Sequence, residues 1–319
     1  FKNLTKMTLA PICLFTFNRL EETKQTIVAL KNNYLAQESE LYVFSDGAKS
    51  LEGQKKVEEL RLYLKGITGF KKIEIFESKT NQGLADSIIK GVSKIIEEFG
   101  KVIVLEDDLI TTPNFLNYMN HALNYFNDDK SIYTVSGYSP LIRDLDVDTF
   151  YMHSRAFPWG WGTWKEKWNQ DFFNIKKIKI NITTKPNLLK DFNKNIGADA
   201  SEMLLKTLDG KISSWYIRWV FNNYLLDRKA IYPVLSKVEN IGNSKDATHF
   251  SGGISAYQCI FDTKLKTSFD FKNTIPLKNI DYRFLKYFSK KYKFIYRLKL
   301  LASINGIKLI MQELKTKYL

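Results

Sequence analysis

Along the first half of the chain, short apolar runs alternate with longer stretches of helical periodicity. APICLFTF precedes LEETKQTIVALKNN, LYVFSD precedes EGQKKVEELRLYLKGI, and KKIEIFES precedes GLADSIIKGVSKIIEEFG, after which KVIVLEDD closes the series. Runs of this length read as buried strands, and the partnered segments read as amphipathic helices, because their apolar residues recur three and four positions apart. Leu84, Ile88, Val92, Ile95 and Ile96 show the spacing well and are assigned to the core. Strand and helix in alternation predict an α/β domain with a mostly parallel sheet flanked by helices. A further helix is expected over Asn114 to Asn127, with Thr112 and Pro113 at its start, followed by a strand at IYTVSGY.

Beyond about residue 150 the pattern changes. An aromatic segment, SRAFPWGWGTWKEKW, leads into a polar stretch rich in Lys and Asn, then into an aromatic helix at SSWYIRWVFNNYLLDRK and a strand at AIYPVLS. The following loop, VENIGNSKDATHFSGG, has the small and polar residues that suit a turn beside a ligand. There is no internal repeat and no low-complexity linker. The organisation expected is one half of a domain over 1–150, a second half of the same domain over 151–271, and a basic helical tail over 272–319.

The run VIVLEDDLI stops at three successive carboxylates, Glu106, Asp107 and Asp108. Parallel sheets bind ligands beyond the carboxyl ends of their strands, so these acids stand where chemistry is expected. Three adjacent negative charges repel one another and are tolerable mainly beside a bound cation or a set of donors, a divalent metal being the simplest. An ordinary helix start is the competing reading, since acids also favour a first turn.

With these motifs assembled, the chain resembles nucleotide-sugar glycosyltransferases of the Rossmann-like GT-A fold. The resemblance rests on FTFNR after the first strand, SDG after the second, N-x-GLA opening a helix and a strand ending EDDL. FPWGWGTW, SW-x-x-RW and LSKVENIG with ATHF extend it toward bacterial relatives of the Golgi N-acetylglucosaminyltransferase that initiates complex N-glycans, over roughly residues 8 to 250. It implies a uridine diphosphate sugar as donor, Mn²⁺ or Mg²⁺ as cofactor, and a carbohydrate or lipid-linked oligosaccharide as acceptor. It also implies Asp108 as metal ligand, with Glu106 and Asp107 on donor hydroxyls, and Thr16 and Asn18 of FTFNR as further donor contacts.

Other residues carry their own physical reasons. Arg19 has the planar fork that pairs with phosphate, although an exposed helix-start arginine looks the same. Asp46 in SDG suits acceptance of a hydrogen bond from a pyrimidine ring, as in the family, or simply a turn. Asn81 and Gly83 open the third helix close to a nucleotide, or serve as a plain cap. His249, in a polar loop, is a candidate contact for metal or diphosphate. Trp159, Trp161 and Trp215 are read as a wall for the acceptor sugar, against the common alternative that aromatics fill core. Relatives carry the catalytic base at the start of the SW-x-x-RW helix, where this chain has Tyr216 and Ile217; Asp209, Glu239 and Asp246 are the remaining candidates.

Charge modifies the picture in one place. The chain has 48 Lys and Arg against 34 acids, a net of +14, but residues 272–319 hold 12 of those bases and 2 acids and so carry +10 of it. YRFLKYFSKKYKFIYRLKLL mixes those bases with aromatic and aliphatic residues, the composition of an interfacial helix on an anionic membrane. A helical pair packed on the domain is the other reading. No RNA-binding motif accompanies the basic run, so no nucleic acid is expected. No span of about 20 apolar residues suggests a membrane crossing, no secretory signal is apparent, and Met7 is a plausible native start. The two distant cysteines, Cys13 and Cys259, read as reduced core thiols. A cytoplasmic, peripherally attached enzyme is the expectation. Alternatives are a sugar-phosphate nucleotidyltransferase, though FTFNRLEE lacks its Gly-rich loop, and a non-catalytic binder of membrane or nucleic acid acting through the tail.

Overall fold

The computed structural model of the chain describes residues 8–242 and 259–301, together with Ile307 and Met311. Its first half is the expected alternation: β1 (Ile12–Thr16), α1 (Leu20–Lys31), β2 (Glu40–Ser45), α2 (Leu51–Lys65), β3 (Lys72–Glu77), α3 (Leu84–Phe99) and β4 (Lys101–Glu106). A short β5 (Leu109–Thr111), then α4 (Phe115–Tyr125) and β6 (Ile132–Ser136) come next. Every residue of β1 is buried because it pairs in parallel with β2 on one side and β4 on the other. The helix ends are read locally. Ser50 Oγ accepts the Gly53 N–H at 3.2 Å to start α2, and Gly100, left-handed at φ +75°, ends α3.

The second half differs from the expected pattern. The chain continues through β7 (Phe150–His153), β8 (Trp161–Trp164), α5 (Ile175–Thr184), α6 (Leu188–Ile196), α7 (Ala200–Leu208), α8 (Trp215–Leu225), β9 (Lys229–Pro233) and β10 (Val238–Asn240). The aromatic segment is therefore partly a strand, and the Lys/Asn-rich stretch holds three helices. In α6, Leu188, Phe192 and Ile196 are buried at four-residue spacing, a stripe narrow enough to be masked by the polar residues between.

Eight strands form one sheet in the order β3-β2-β1-β4-β8-β6-β9-β7. β8 and β7 run antiparallel to their neighbours and the other six share one direction. The sheet crosses residue 150 without a break, since β8 inserts between β4 and β6. β5 and β10 make a separate antiparallel pair, which carries the segment after the acid cluster against the segment after β9.

Two further helices follow, α9 (Asp281–Leu285) and α10 (Lys290–Leu301). Residues 272–288 are not a free tail: Ile280, Phe284, Tyr287 and Phe288 are buried, and the Phe284 ring stacks on His153 with centroids 3.7 Å apart. Among the described residues no helix is long and apolar enough to cross a membrane, and Cys13 and Cys259 are free thiols.

Candidate active site

The carboxyl ends of β1, β2 and β4 converge on one rim of the sheet. Asp107 and Asp108 come directly after the last residue of β4, and both are buried. Their backbone is fixed by Thr26 of α1, whose hydroxyl donates to the Asp107 carbonyl at 2.9 Å and accepts the Leu109 N–H at 3.1 Å. The carboxylates meet Arg19, which begins α1. Its Nη2 bonds to Asp107 Oδ1 and lies 3.0 Å from Asp108 Oδ2. Arg19 thus faces the acids in this structure, rather than standing clear for a phosphate as expected from the sequence. Three carboxylates at a buried strand end draw in whatever cation the chain supplies, each contact at about 4 Å being worth roughly 4 kcal/mol at an effective dielectric of 20.

One guanidinium does not balance three acids. Burial pushes the Asp107 carboxyl up to about 6, although Arg19 pulls the other way. Burial also raises Asp108, again against Arg19, while Glu106 is driven well above its ordinary range by burial, then by Asp108 and Asp107. Desolvation exceeds the available compensation, and a second cation is what the cluster lacks electrostatically. Among the described residues no three His, Cys, Asp or Glu side chains form a self-sufficient metal cage. An ion here would need oxygen ligands from a substrate and from water, which Mg²⁺ and Mn²⁺ accept.

β10 closes the other side of Asp108. The Ile241 N–H donates to the Asp108 carbonyl at 2.9 Å, and Asn240 Nδ2 lies 3.5 Å from Asp108 Oδ1. A Cβ on Gly242 would fall 2.0 Å from Asp108 Oδ2, so this position has no room for a side chain. Asn240 and Gly242 are site residues that the sequence does not single out. Their only signal there is membership of the LSKVENIG motif.

Asp46 is a hub. Oδ1 accepts the N–H groups of Gly47 and Gln82, both at 2.8 Å; Oδ2 accepts the Gly83 N–H at 2.9 Å and Asn81 Nδ2 at 3.1 Å. All four acceptor directions are taken, so a pyrimidine N–H could bond there only by displacing one of these donors. Its observed role is to bind the SDG turn to the loop that opens α3, joining Asp46, Asn81 and Gly83 in one platform. Gly47 permits the approach: a Cβ there would lie 2.4 Å from the Thr80 carbonyl carbon. Arg61 of α2 bolts the same corner, donating to the carbonyls of Ser45, Asp46 and Ser78.

Thr16, at the end of β1, is buried with its hydroxyl unpartnered among the described residues, and Asn18 is partly exposed in the β1–α1 turn. The acceptor wall is corrected for two of its three residues. Trp161 and Trp215 stack on each other at 5.0 Å inside an aromatic cluster with Trp168 and Trp219, and are buried, so neither offers a ring face to a sugar. Trp159 is partly exposed and packs edge-on against Tyr138 at 4.7 Å. At the start of α8, Tyr216 donates its hydroxyl to the Ala156 carbonyl at 2.8 Å, and Ile217 is buried. Of the candidate bases, Asp209 is exposed beside Lys211, 3.4 Å away, and Glu239 is exposed on β10. Strand alternation puts Glu239 on the opposite face from Asn240. Asp246 and His249 lie outside the described residues.

An open α/β sheet with a buried acid pair at the end of β4 and a separate antiparallel β5–β10 pair is the arrangement of the GT-A fold. The chain belongs to glycosyl transferase family 2, which it matches over residues 12–192. Among solved structures it is similar to the mannosyltransferase PcManGT from Pyrobaculum calidifontis in complex with GDP-Man and Mn²⁺, at 11% identity and a TM-score of 0.35, covering 50% of this chain and 48% of that one. It is also similar to S. aureus TarS, at 14% identity and a TM-score of 0.30, covering 44% of this chain and 24% of that one. The chain therefore spans about half or less of the length of either. No curated protein matches it. The match identifies the family and does not single out the Golgi enzyme.

Proposed function

We propose that this glycosyltransferase moves a hexosyl or N-acetylhexosaminyl group, with inversion, from a uridine diphosphate sugar to a carbohydrate or lipid-linked oligosaccharide acceptor in bacterial surface glycan assembly. The observation that carries the reading is the buried Asp107–Asp108 pair at the β4 terminus, under-compensated by Arg19. Breaking a sugar–phosphate bond leaves charge on the diphosphate, and a site that attracts a cation is what that leaving group requires. A bound Mn²⁺ or Mg²⁺ would neutralise that charge, with Asp108 as its protein carboxylate and His249 as a second contact. Asp107 and Glu106 orient donor hydroxyls, and Arg19 holds the acids in register before donor arrives. Thr16 offers its unpartnered hydroxyl, and Asn18 its amide, to the nucleoside. The platform of Asp46, Asn81 and Gly83 supports the base. Trp159 borders the acceptor, and Asp246 takes the acceptor proton, since α8 begins without an acid and Glu239 faces away from Asp108. The free thiols fit a reducing, cytoplasmic setting, and the basic tail fits peripheral attachment to the membrane.

The test is Asp108→Ala. The variant should keep its fold, lose the Mn²⁺-dependent rise in melting temperature that a uridine diphosphate sugar gives the wild type, and lose transfer by at least about 100-fold, as for removal of a main transition-state contact. Full transfer by the variant would overturn the assignment. Loss of transfer in Asp246→Asn with donor binding intact would identify the base, and Glu239→Gln should keep transfer.

A further inference from the structure

The structure anchors the start of α10, and among the described residues nothing covers one of its faces. Phe288 is buried beneath the Arg155 guanidinium, 4.0 Å from the ring centroid, and Tyr287 is buried beside it. Ser289 Oγ accepts the Tyr292 N–H at 3.1 Å and so caps the helix, while the Tyr292 ring packs on Tyr287 at 5.1 Å. Tyr292 thereby fixes which side of α10 faces the domain. Phe294, Leu298 and Leu301, at spacings of four and three, lie on the other side with Ile295 next to them. They are 64%, 52%, 54% and, for Ile295, 41% exposed. At about 100° per residue these four span an arc of roughly 120°, centred well away from Tyr292.

We propose that this face of α10 docks on an anionic phospholipid surface. The inference specifies the membrane contact within the proposed function and does not depend on which donor is used. Large apolar side chains turned outward along a helix mark an interaction surface, and their class of partner is set by the charges around them. The sequence of α10 contains five Lys or Arg and no acid, within a segment that carries +10. An acidic protein or a nucleic acid would answer the charge and leave the aliphatic face in water. A neutral apolar partner would answer the face and leave the charge unmatched. A bilayer containing acidic headgroups answers both, with the apolar stripe in the interface and the cations at headgroup level. Among the described residues no helix is long and apolar enough to cross a membrane, and a helix with this many cations beside an apolar stripe suits the interface plane.

The full chain is sedimented with vesicles of phosphatidylcholine alone and of phosphatidylcholine mixed with phosphatidylglycerol. Wild-type protein should bind the mixed vesicles and weaken as salt is raised. Phe294→Ser/Leu298→Ser should bind them at least about tenfold more weakly, with an unchanged melting temperature and an unchanged shift on adding uridine diphosphate sugar and Mn²⁺. Failure of wild type to bind the mixed vesicles overturns the proposal, and so does equal binding by the variant, which would mean capture by charge alone. Because the sugar nucleotide shift is read on the same samples, failure of the membrane contact and failure of the donor reading are told apart.

Discussion

At the residue scale the acid cluster is a problem of charge in a poor solvent. Asp107 and Asp108 are buried, and Arg19 is their counter-charge among the described residues. Removing one partner of a buried ion pair is costly because the remaining charge has nowhere to go. Arg19→Gln should therefore destabilise the metal-free protein by about 3 kcal/mol at neutral pH, measured by urea unfolding. The loss should shrink as the pH is lowered through 6 and below, because the uncompensated acids, already raised by burial, then take up protons. Mn²⁺ should restore part of it at neutral pH. Gly242→Ala tests the other flank: with a Cβ 2.0 Å from Asp108 Oδ2, either the strand or the carboxylate must move. Donor-dependent stabilisation should fall as far as in Asp108→Ala, while overall stability changes little. The acids and Arg19 were legible in the sequence because charge interrupting an apolar run is unusual. Asn240 and Gly242 were not, because they reach Asp108 across 132 and more residues of chain.

Elements differ in how much of their environment is local. β1, β2, β4 and α3 declare themselves, the strands as short apolar runs buried along most of their length and α3 as a helical period buried on one face. β8 does not: WGTW sets two tryptophans around two small residues, a pattern equally suited to a sugar-binding wall, and only its insertion between β4 and β6 puts Trp161 inside. The β7–α9 junction supplies an element-scale prediction. His153 is enclosed between β7 and Phe284, with Nε2 3.3 Å from Asp281 Oδ1, and its Nδ1 accepts the Arg155 N–H at 2.9 Å. Burial lowers its pKa from 6.5 to about 4, more than Asp281 raises it. The unfolded chain therefore binds this proton more readily than the native one. The corresponding stability is complete above pH 6.5 and is lost as pH falls toward 4, on the order of 3 kcal/mol in all. Urea midpoints measured between pH 7 and 4.5 should decline, and His153→Gln should flatten that decline.

For the whole molecule, the sheet and the C-terminal segment decide what can be removed. Ending the chain at residue 289 takes away α10 and the residues beyond it, leaves Ile280, Phe284, Tyr287 and Phe288 in place, and should preserve both the fold and the sugar nucleotide shift. Ending it at 271 strips those four from the core and uncovers His153. At a few kcal/mol for each large buried side chain, that loss exceeds about 5 kcal/mol, and the truncated chain should aggregate or melt far earlier in a thermal scan. The basic tail is thus divided at Ser289 into a part that belongs to the core and a helix, α10, that rests Tyr292 on it and turns Phe294 and Leu298 outward. Composition alone ran the two together, because Lys and aromatic residues alternate on both sides of that point.

By itself the sequence determined the α/β alternation and the rim on which the acids stand, because these depend on periodicity and on charge meeting apolar residues within a few positions. Only the tertiary structure decided that Arg19 pairs with the acids, that Asp46 is occupied in holding the α3 loop, that Trp161 and Trp215 are core, and that α10 turns Phe294 and Leu298 outward. The physical reason is the same in each case. These roles are set by which surfaces meet over long separations in the chain, and a residue type fixes what a side chain can do without fixing what it will touch.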